Sequence, residues 1–184
     1  MLELIKNKLG NNLFKEDIAK EDFTLASVLI PLYKKNDKTY ILFTKRSNKV
    51  KHHKGQISFP GGKFETNDKN LQETSLRETY EEIGVKPEDI EIIGKMPSII
   101  TISNFYVTPF VGYFNYPYNF KISTDEIDTL IEAPLEHFFD ESIFWIENRE
   151  VFGNIKKVYF YSYEGHTIWG ATGKILYDLL RVIR

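Results

Sequence analysis

Apolar and polar positions change period several times along this chain, and the changes mark out its elements. A short helix is predicted near Leu2 to Leu9. Alternating runs from Thr24 to Leu32 and from Thr39 to Thr44 predict a hairpin turning through Lys34-Lys35-Asn36-Asp37-Lys38. A longer helix follows from Lys69 to Ile83, with Asp68 placed to cap its start and Gly84 where helices commonly end. Further on, Glu91 to Thr101, Tyr106 to Phe114 and Val158 to Tyr163 read as strands. Leu135 to Glu141 reads as a short helix and Ala171 to Ile183 as the closing one. Strands interspersed with helices place the chain in the α/β class, as an α/β/α sandwich with a mixed β-sheet. No linker, repeat or low-complexity tract interrupts it, so one domain over residues 1–184 is expected.

The helix 69–83 is ordered on two sides. At about 100° per residue, Glu78, Glu81 and Glu82 share one face, while Leu76, Tyr80 and Ile83 predict a separate apolar stripe for the core. The acidic face is unfavourable alone. Glu78 and Glu82 are like charges one turn apart, and Glu81 and Glu82 lie in the last turn, where the helix dipole favours cations. A divalent cation would reverse that repulsion, and oxygen-only ligands favour Mg2+ or Mn2+ over zinc or copper. An E-x-x-E-E stretch by itself is more simply a solvated acidic surface; its surroundings decide.

Those surroundings are basic. Lys45, Arg46, Lys49, Lys51, His52, His53 and Lys54 gather positive charge just upstream, in a chain of net charge −2. A substrate bearing several phosphates would use both halves, the cations for its outer phosphates and the metal for the one under attack. His52 and His53 are adjacent, cannot face one metal from a regular element, and read as loop residues. No long basic surface is evident, which argues against a nucleic-acid partner.

Composition narrows the class further. A chain of 184 residues, 42% hydrophobic and 15% aromatic, can bury a substantial core. The absence of cysteine excludes disulfides, zinc thiolate sites and a cysteine nucleophile, and fits a reducing compartment. The opening MLELIKNKLGNNLFKED is too charged for a secretory signal, and no apolar run approaches the roughly 20 residues of a spanning helix. A cytoplasmic protein with no membrane partner is expected. Among the many aromatics, Phe105, Tyr106, Phe110, Tyr113 and Phe114 read as core, whereas Tyr116 to Phe120 read as an exposed loop offering substrate or partner contacts.

From Phe59 to Val85 the residues spell a known pattern. Gly62, Asp68 and Arg77-Glu78-Thr79-Tyr80-Glu81-Glu82-Ile83-Gly84-Val85 resemble the Nudix box, G-x5-E-x7-R-E-U-x-E-E-x-G-U, where U is a bulky aliphatic residue. Asp68 stands where the first Glu is expected, with eight residues rather than seven before Arg77, and Thr79 replaces an aliphatic residue. Upstream, Leu42-Phe43-Thr44-Lys45-Arg46-Ser47, Lys51, Gly55 and Phe59-Pro60-Gly61-Gly62 resemble the motif of coenzyme A pyrophosphatases within that superfamily. Phe43 replaces a Leu there, and Lys51 replaces an Arg. Lys keeps the charge but loses the bidentate fork. Near the C-terminus, Gly165-His166-Thr167-Ile168-Trp169-Gly170-Ala171-Thr172 is similar to a G-H-x-I-W-G-A-T segment of the same subfamily. Trp169 is read as packing beneath the last helix.

The resemblance implies a Nudix-type α/β/α sandwich and an Mg2+- or Mn2+-dependent hydrolase. Glu78 and Glu82 would ligate the metal, with Glu81 joining directly or through water and the Gly61 carbonyl completing the shell. Arg77 would orient a box carboxylate. Arg46, Lys51, Gly55, Phe59 and Gly62 would serve the substrate. The general base is expected at Glu126, which precedes Ala133-Pro134-Leu135 at the spacing of an E-[VI]-x5-P-L pattern seen in relatives, or else at Glu81. The implied reaction is water attack on the diphosphate of coenzyme A or acyl-CoA, with no covalent intermediate. The alternatives are a Nudix enzyme for ADP-ribose or a dinucleoside polyphosphate, and a noncatalytic nucleotide-binding sensor. The partner is a small nucleotide in each case, and the chain is a monomer or a homodimer.

Overall fold

The computed structural model describes residues 1–10, 22–50, 53–151 and 153–184. β1 (Thr24–Lys35) and β2 (Lys38–Arg46) form the predicted hairpin, but its turn is tighter than the expected 34–38. Lys34 and Lys35 stay in the ladder opposite Thr39 and Lys38, leaving only Asn36 and Asp37 to turn, both at positive φ (49° and 61°). That geometry matches the twist of the flanking strands, and Asn and Asp tolerate it.

β1 is the centre of the larger sheet. β7 (Phe105–Tyr113) runs parallel to it from Thr24↔Phe105 to Leu32↔Tyr113. β5 (Glu91–Lys95) and β6 (Ile99–Ile100) then pair antiparallel with β7. They replace the single strand expected over 91–101; Pro97, which has no N–H for a ladder, lies in the gap. β2 pairs antiparallel with β8 (Ile127–Pro134) on one edge and with β3 (Ile57–Ser58) on the other, while β4 (Gly61–Lys63) pairs with β1 at Ala26–Val28. β9 (Phe144–Val151), β10 (Asn154–Tyr163) and β11 (His166–Trp169) make a separate three-stranded antiparallel sheet. The short helix expected over 135–141 is two 3₁₀ turns, Leu135–Phe139 and Glu141–Ile143.

Alternation along β1 and β2 sends side chains to two cores. Ile30, Leu32, Ile41 and Phe43 meet α1 (Leu2–Gly10) and α3 (Gly170–Ile183) through Ile5, Leu9, Ile175, Leu176 and Leu179. Leu29, Tyr33 and Leu42 face the opposite way and join Ile83 of α2 (Leu71–Ile83), Phe110 and Phe114. The mixed sheet thus lies between helices, the expected α/β/α sandwich. Tyr106, Phe110 and Phe114 are buried as read. Tyr116, Tyr118 and Phe120 are not a free loop: they are half-buried, with Tyr116 stacked on Tyr33 at 5.1 Å and Tyr118 and Phe120 edge-on to Phe114 at 5.5 and 5.9 Å. Trp169 stacks on Phe160 at 6.0 Å. Among the described residues no helix is long and apolar enough to cross a membrane.

Candidate active site

α2 carries the acidic residues, and its first turn differs from the sequence expectation. Asn70, not Asp68, is the N-cap: its side chain accepts from the Glu73 amide at 2.9 Å. Asp68 is buried and holds Arg77 instead, accepting from Nε at 2.9 Å and Nη2 at 3.1 Å, and also from the Thr74 hydroxyl and the Glu65 amide. The additional residue before Arg77 lets one side chain cap the helix while the other forms the clamp. Hydrogen bonds from Arg77 hold the Asp68 carboxyl down at about 2, and the same pairing raises Arg77.

The buried face of α2 keeps part of the predicted stripe: Ile83 is in the core and Leu76 packs against it, but Tyr80 is 51% exposed, and Thr74, Ser75, Thr79 and Glu82 are buried as well. Small side chains let the helix lie close to β1 and β4, and Ser75 and Thr79 satisfy their hydroxyls on the Gln72 and Ser75 carbonyls of the helix itself. Thr79, in an aliphatic position of the pattern, is therefore a buried and satisfied core residue. Gly84 ends the helix in the left-handed region, as expected.

Arg77 fixes the outer carboxylates. Its Nη1 donates to Glu78 at 2.9 Å and to Glu81 at 3.0 Å, while Nη2 also reaches the Lys63 carbonyl. Glu81 is about half exposed. Glu78 turns inward against Gly62, where any side chain on residue 62 would collide with its carboxylate. Glu82 is 2% exposed, with Oε2 unpartnered and Oε1 3.7 Å from Arg46 Nη1 at the end of β2. Burial pushes the Glu82 carboxyl up to about 8, against Arg46 and the Gly61 backbone amide, with Glu78 and Glu126 adding repulsion. Burial likewise raises Glu78, with Arg77 opposing.

Glu126 reaches this region through a specific backbone path. The amides of Lys121 and Ser123 donate to the Ile83 and Glu82 carbonyls at the end of α2, and the Ser47 amide donates to the Glu126 carbonyl at the end of β2. Glu126 is exposed and close enough to both Glu78 and Glu82 to raise them. Gly55, at φ 67°, donates to the Arg46 carbonyl and closes the basic loop onto β2. Phe59 corrects an expectation: it is 2% exposed and stacked on Phe43 at 4.8 Å, so it anchors the loop from the core instead of facing a substrate. Lys51 and His52 lie outside the described residues. The structure thus gathers Glu78, Glu82, Gly61, Gly62, Arg46 and Glu126, with Arg77 and Glu81 on the outer side. Sequence reasoning missed the backbone clasp on α2; no side-chain pattern announces it.

The NUDIX domain family model matches residues 24–163. The chain belongs to the Nudix hydrolase family. It is 34% identical over 154 residues to the uncharacterized Nudix hydrolase NudL of Pectobacterium atrosepticum, covering 84% of this chain and 80% of that protein. It is 33% identical, with the same coverage, to its Enterobacter sp. counterpart. Among solved structures, a MutT/nudix family protein from Enterococcus faecalis matches with TM-score 0.56 and 16% identity, over 100% of this chain and 69% of that one. The C. elegans Ap4A hydrolase matches with TM-score 0.53 and 20% identity, over 60% of this chain and 80% of that one. Both likenesses concern the fold. As a Nudix hydrolase the chain acts on phosphoric anhydrides of nucleoside diphosphate derivatives.

Nudix hydrolases generally use divalent cations, and this donor set suits one. Among the described residues no three acidic or histidine side chains form a ready-made cage. What the fold provides is a buried carboxylate with one unpartnered oxygen, a second carboxylate beside a side-chain-free glycine, and only oxygen donors. These features fit a hard cation.

Proposed function

We propose that the chain hydrolyses the diphosphate of coenzyme A or an acyl derivative, giving 4′-phosphopantetheine or its acyl form and adenosine 3′,5′-bisphosphate. One observation carries this reading: Arg46, from the coenzyme A-type segment, stands 3.7 Å from Glu82 of the Nudix helix. The two sequence signals share one place, so a phosphate seated on Arg46 adjoins the metal-binding carboxylates.

In this reading Glu78, Glu82 and the Gly61 carbonyl hold Mg2+ or Mn2+, and Glu81 contributes from the outer side. Such a cation neutralises charge on the diphosphate and acidifies water. Arg77 is a positioning residue for Glu78 and Glu81, and is itself set by Asp68. Arg46 and Lys51 take the phosphates. Gly55 ties its segment to the end of β2, Phe59 anchors the chain before the glycine turn in the core, and Gly62 leaves room for Glu78. Glu126, or else Glu81, accepts a proton from the attacking water as its oxygen bonds to phosphorus and the bridging oxygen leaves with the other phosphate. The intact R-E-x-x-E-E core favours catalysis over a noncatalytic sensor.

A substrate panel with product analysis in Mg2+ and Mn2+ tests the proposal. Coenzyme A should give adenosine 3′,5′-bisphosphate; rapid cleavage of ADP-ribose or a dinucleoside polyphosphate with none of coenzyme A would refute the assignment.

A further inference from the structure

A groove of about 580 Å³ runs along β8, bordered by Lys35, Tyr40, Leu130, Glu132, Tyr163 and His166. It lies outside the site described above but is built on the same strand pair, β2 and β8, whose other end carries Arg46. Tyr40, Leu42, Thr44 and Arg46 alternate along β2 and share a face; Pro134, Glu132 and Leu130 stand opposite the first three and share it too. At about 3.4 Å per residue, Thr129 to Pro134 extends about 17 Å away from the Arg46 end.

β8 offers a free edge here. It pairs with β2 alone among the described residues. The Arg46 amide donates to the Gln56 carbonyl on the β3 side, so the odd-numbered residues of β2 pair with β8, through Thr129, Ile131 and Ala133. Leu130 and Glu132 therefore turn their backbone groups outward, since both groups of a strand residue share one edge. The Tyr163 hydroxyl, donating to the Glu132 carbonyl at 3.1 Å, agrees with that direction. Among the described residues Leu130 is left presenting an N–H and a C=O, the latter approached by the Thr129 hydroxyl at 3.5 Å.

We infer that this groove receives the non-nucleotide arm of the substrate as an extended, uncharged, amide-bearing chain that pairs with the Leu130 edge. The inference rests on the proposed function and specifies its second subsite. The lining selects the chemistry. Lys35 and the Tyr33 hydroxyl both donate to the Glu132 carboxylate, so the Lys35 ammonium is already paired, and Glu132 and Glu164 would repel further phosphate. Phenols, imidazole and strand backbone suit a chain carrying its own donors and acceptors better than a bare alkyl chain.

L130P and L130A provide the test, because both lose the leucine side chain while only proline loses the outward N–H, and no ladder bond to β2 is removed. kcat/KM for coenzyme A should fall about threefold to tenfold further in L130P than in L130A, the value of one neutral hydrogen bond. With ADP-ribose, which lacks the arm, the two variants should match each other. Equal losses with coenzyme A would overturn the inference. Should L130P fail to fold, amide-shift mapping of the wild-type chain with pantetheine decides. Shifts at Leu130 and Glu132 support the groove, whereas none, or shifts confined to residues 47–58, overturn it. Wild-type enzyme that leaves coenzyme A intact would sink the substrate assignment separately.

Discussion

Replacing Asp68 by Asn tests the Arg77 clamp most directly. The carboxylate is buried and accepts four hydrogen bonds, two of them from Arg77. Asparagine keeps the volume but removes the charge and sets an NH2 against donors. The Asp68 carboxyl is held at about 2, against 3.8 ordinarily. At about 1.4 kcal/mol per pH unit this is worth some 2 kcal/mol, and solvent at the partly exposed Arg77 reduces it to roughly 1–2 kcal/mol. The folded value lies below the unfolded one, so the contribution is complete above about pH 4 and disappears as pH falls through about 2. Urea unfolding should therefore find D68N less stable by roughly 1–2 kcal/mol at neutral pH, with the gap to wild type closing between about pH 4 and pH 2. Activity should fall as well, because a released Arg77 no longer fixes Glu78 and Glu81. Equal stability at neutral pH, or a gap indifferent to acid, would refute the clamp.

Other variants separate the roles. N70A should cost about 1 kcal/mol in unfolding experiments, as loss of a helix cap does, while turnover stays near wild type. E82Q should abolish turnover and weaken Mn2+ binding by calorimetry without lowering Tm, since a neutral amide is easier to bury than the carboxylate; unchanged activity would count against the metal assignment. In R46K the KM for coenzyme A should rise less than in R46A, because lysine retains charge without the fork. G62A should lose activity through displacement of Glu78, seen as a drop in kcat in steady-state kinetics, and retained kcat would contradict the contact.

How legible all this was depends on what each element answers to. Long periodic segments, α2, α3 and the first hairpin, follow from their own residues. β3 and β4 span two and three residues, and only pairing with β2 and β1 makes them strands. β8, β9 and β11 are likewise absent from the elements that local pattern predicts. Two features of α2 depart from its local pattern. Tyr80 is large and apolar at the spacing of a core position, whereas close approach to the sheet selects small residues that satisfy their own hydroxyls. Asp68 is the right residue type near the start for a cap, but the competing demand of Arg77, nine residues away, takes it. The acidic trio, the glycine turn and Arg46 were legible because chemistry fixes their types. At Phe59 the motif marks importance without saying whether it is contact or support, and the stacking on Phe43 makes it support.

The clasp on the last turn of α2 also bears on how this protein could be re-engineered. Lys121 approaches so near Gly84 that a methyl group there would meet its Cβ at 2.7 Å and its amide nitrogen at 2.9 Å. The stretch between Phe114 and Ile127 therefore cannot serve as a splice point. A reporter peptide grafted there would unwind the helix end that carries Glu82. The two-residue turn at Asn36-Asp37, which among the described residues is bonded within its own hairpin and is exposed, is where foreign sequence should be accommodated.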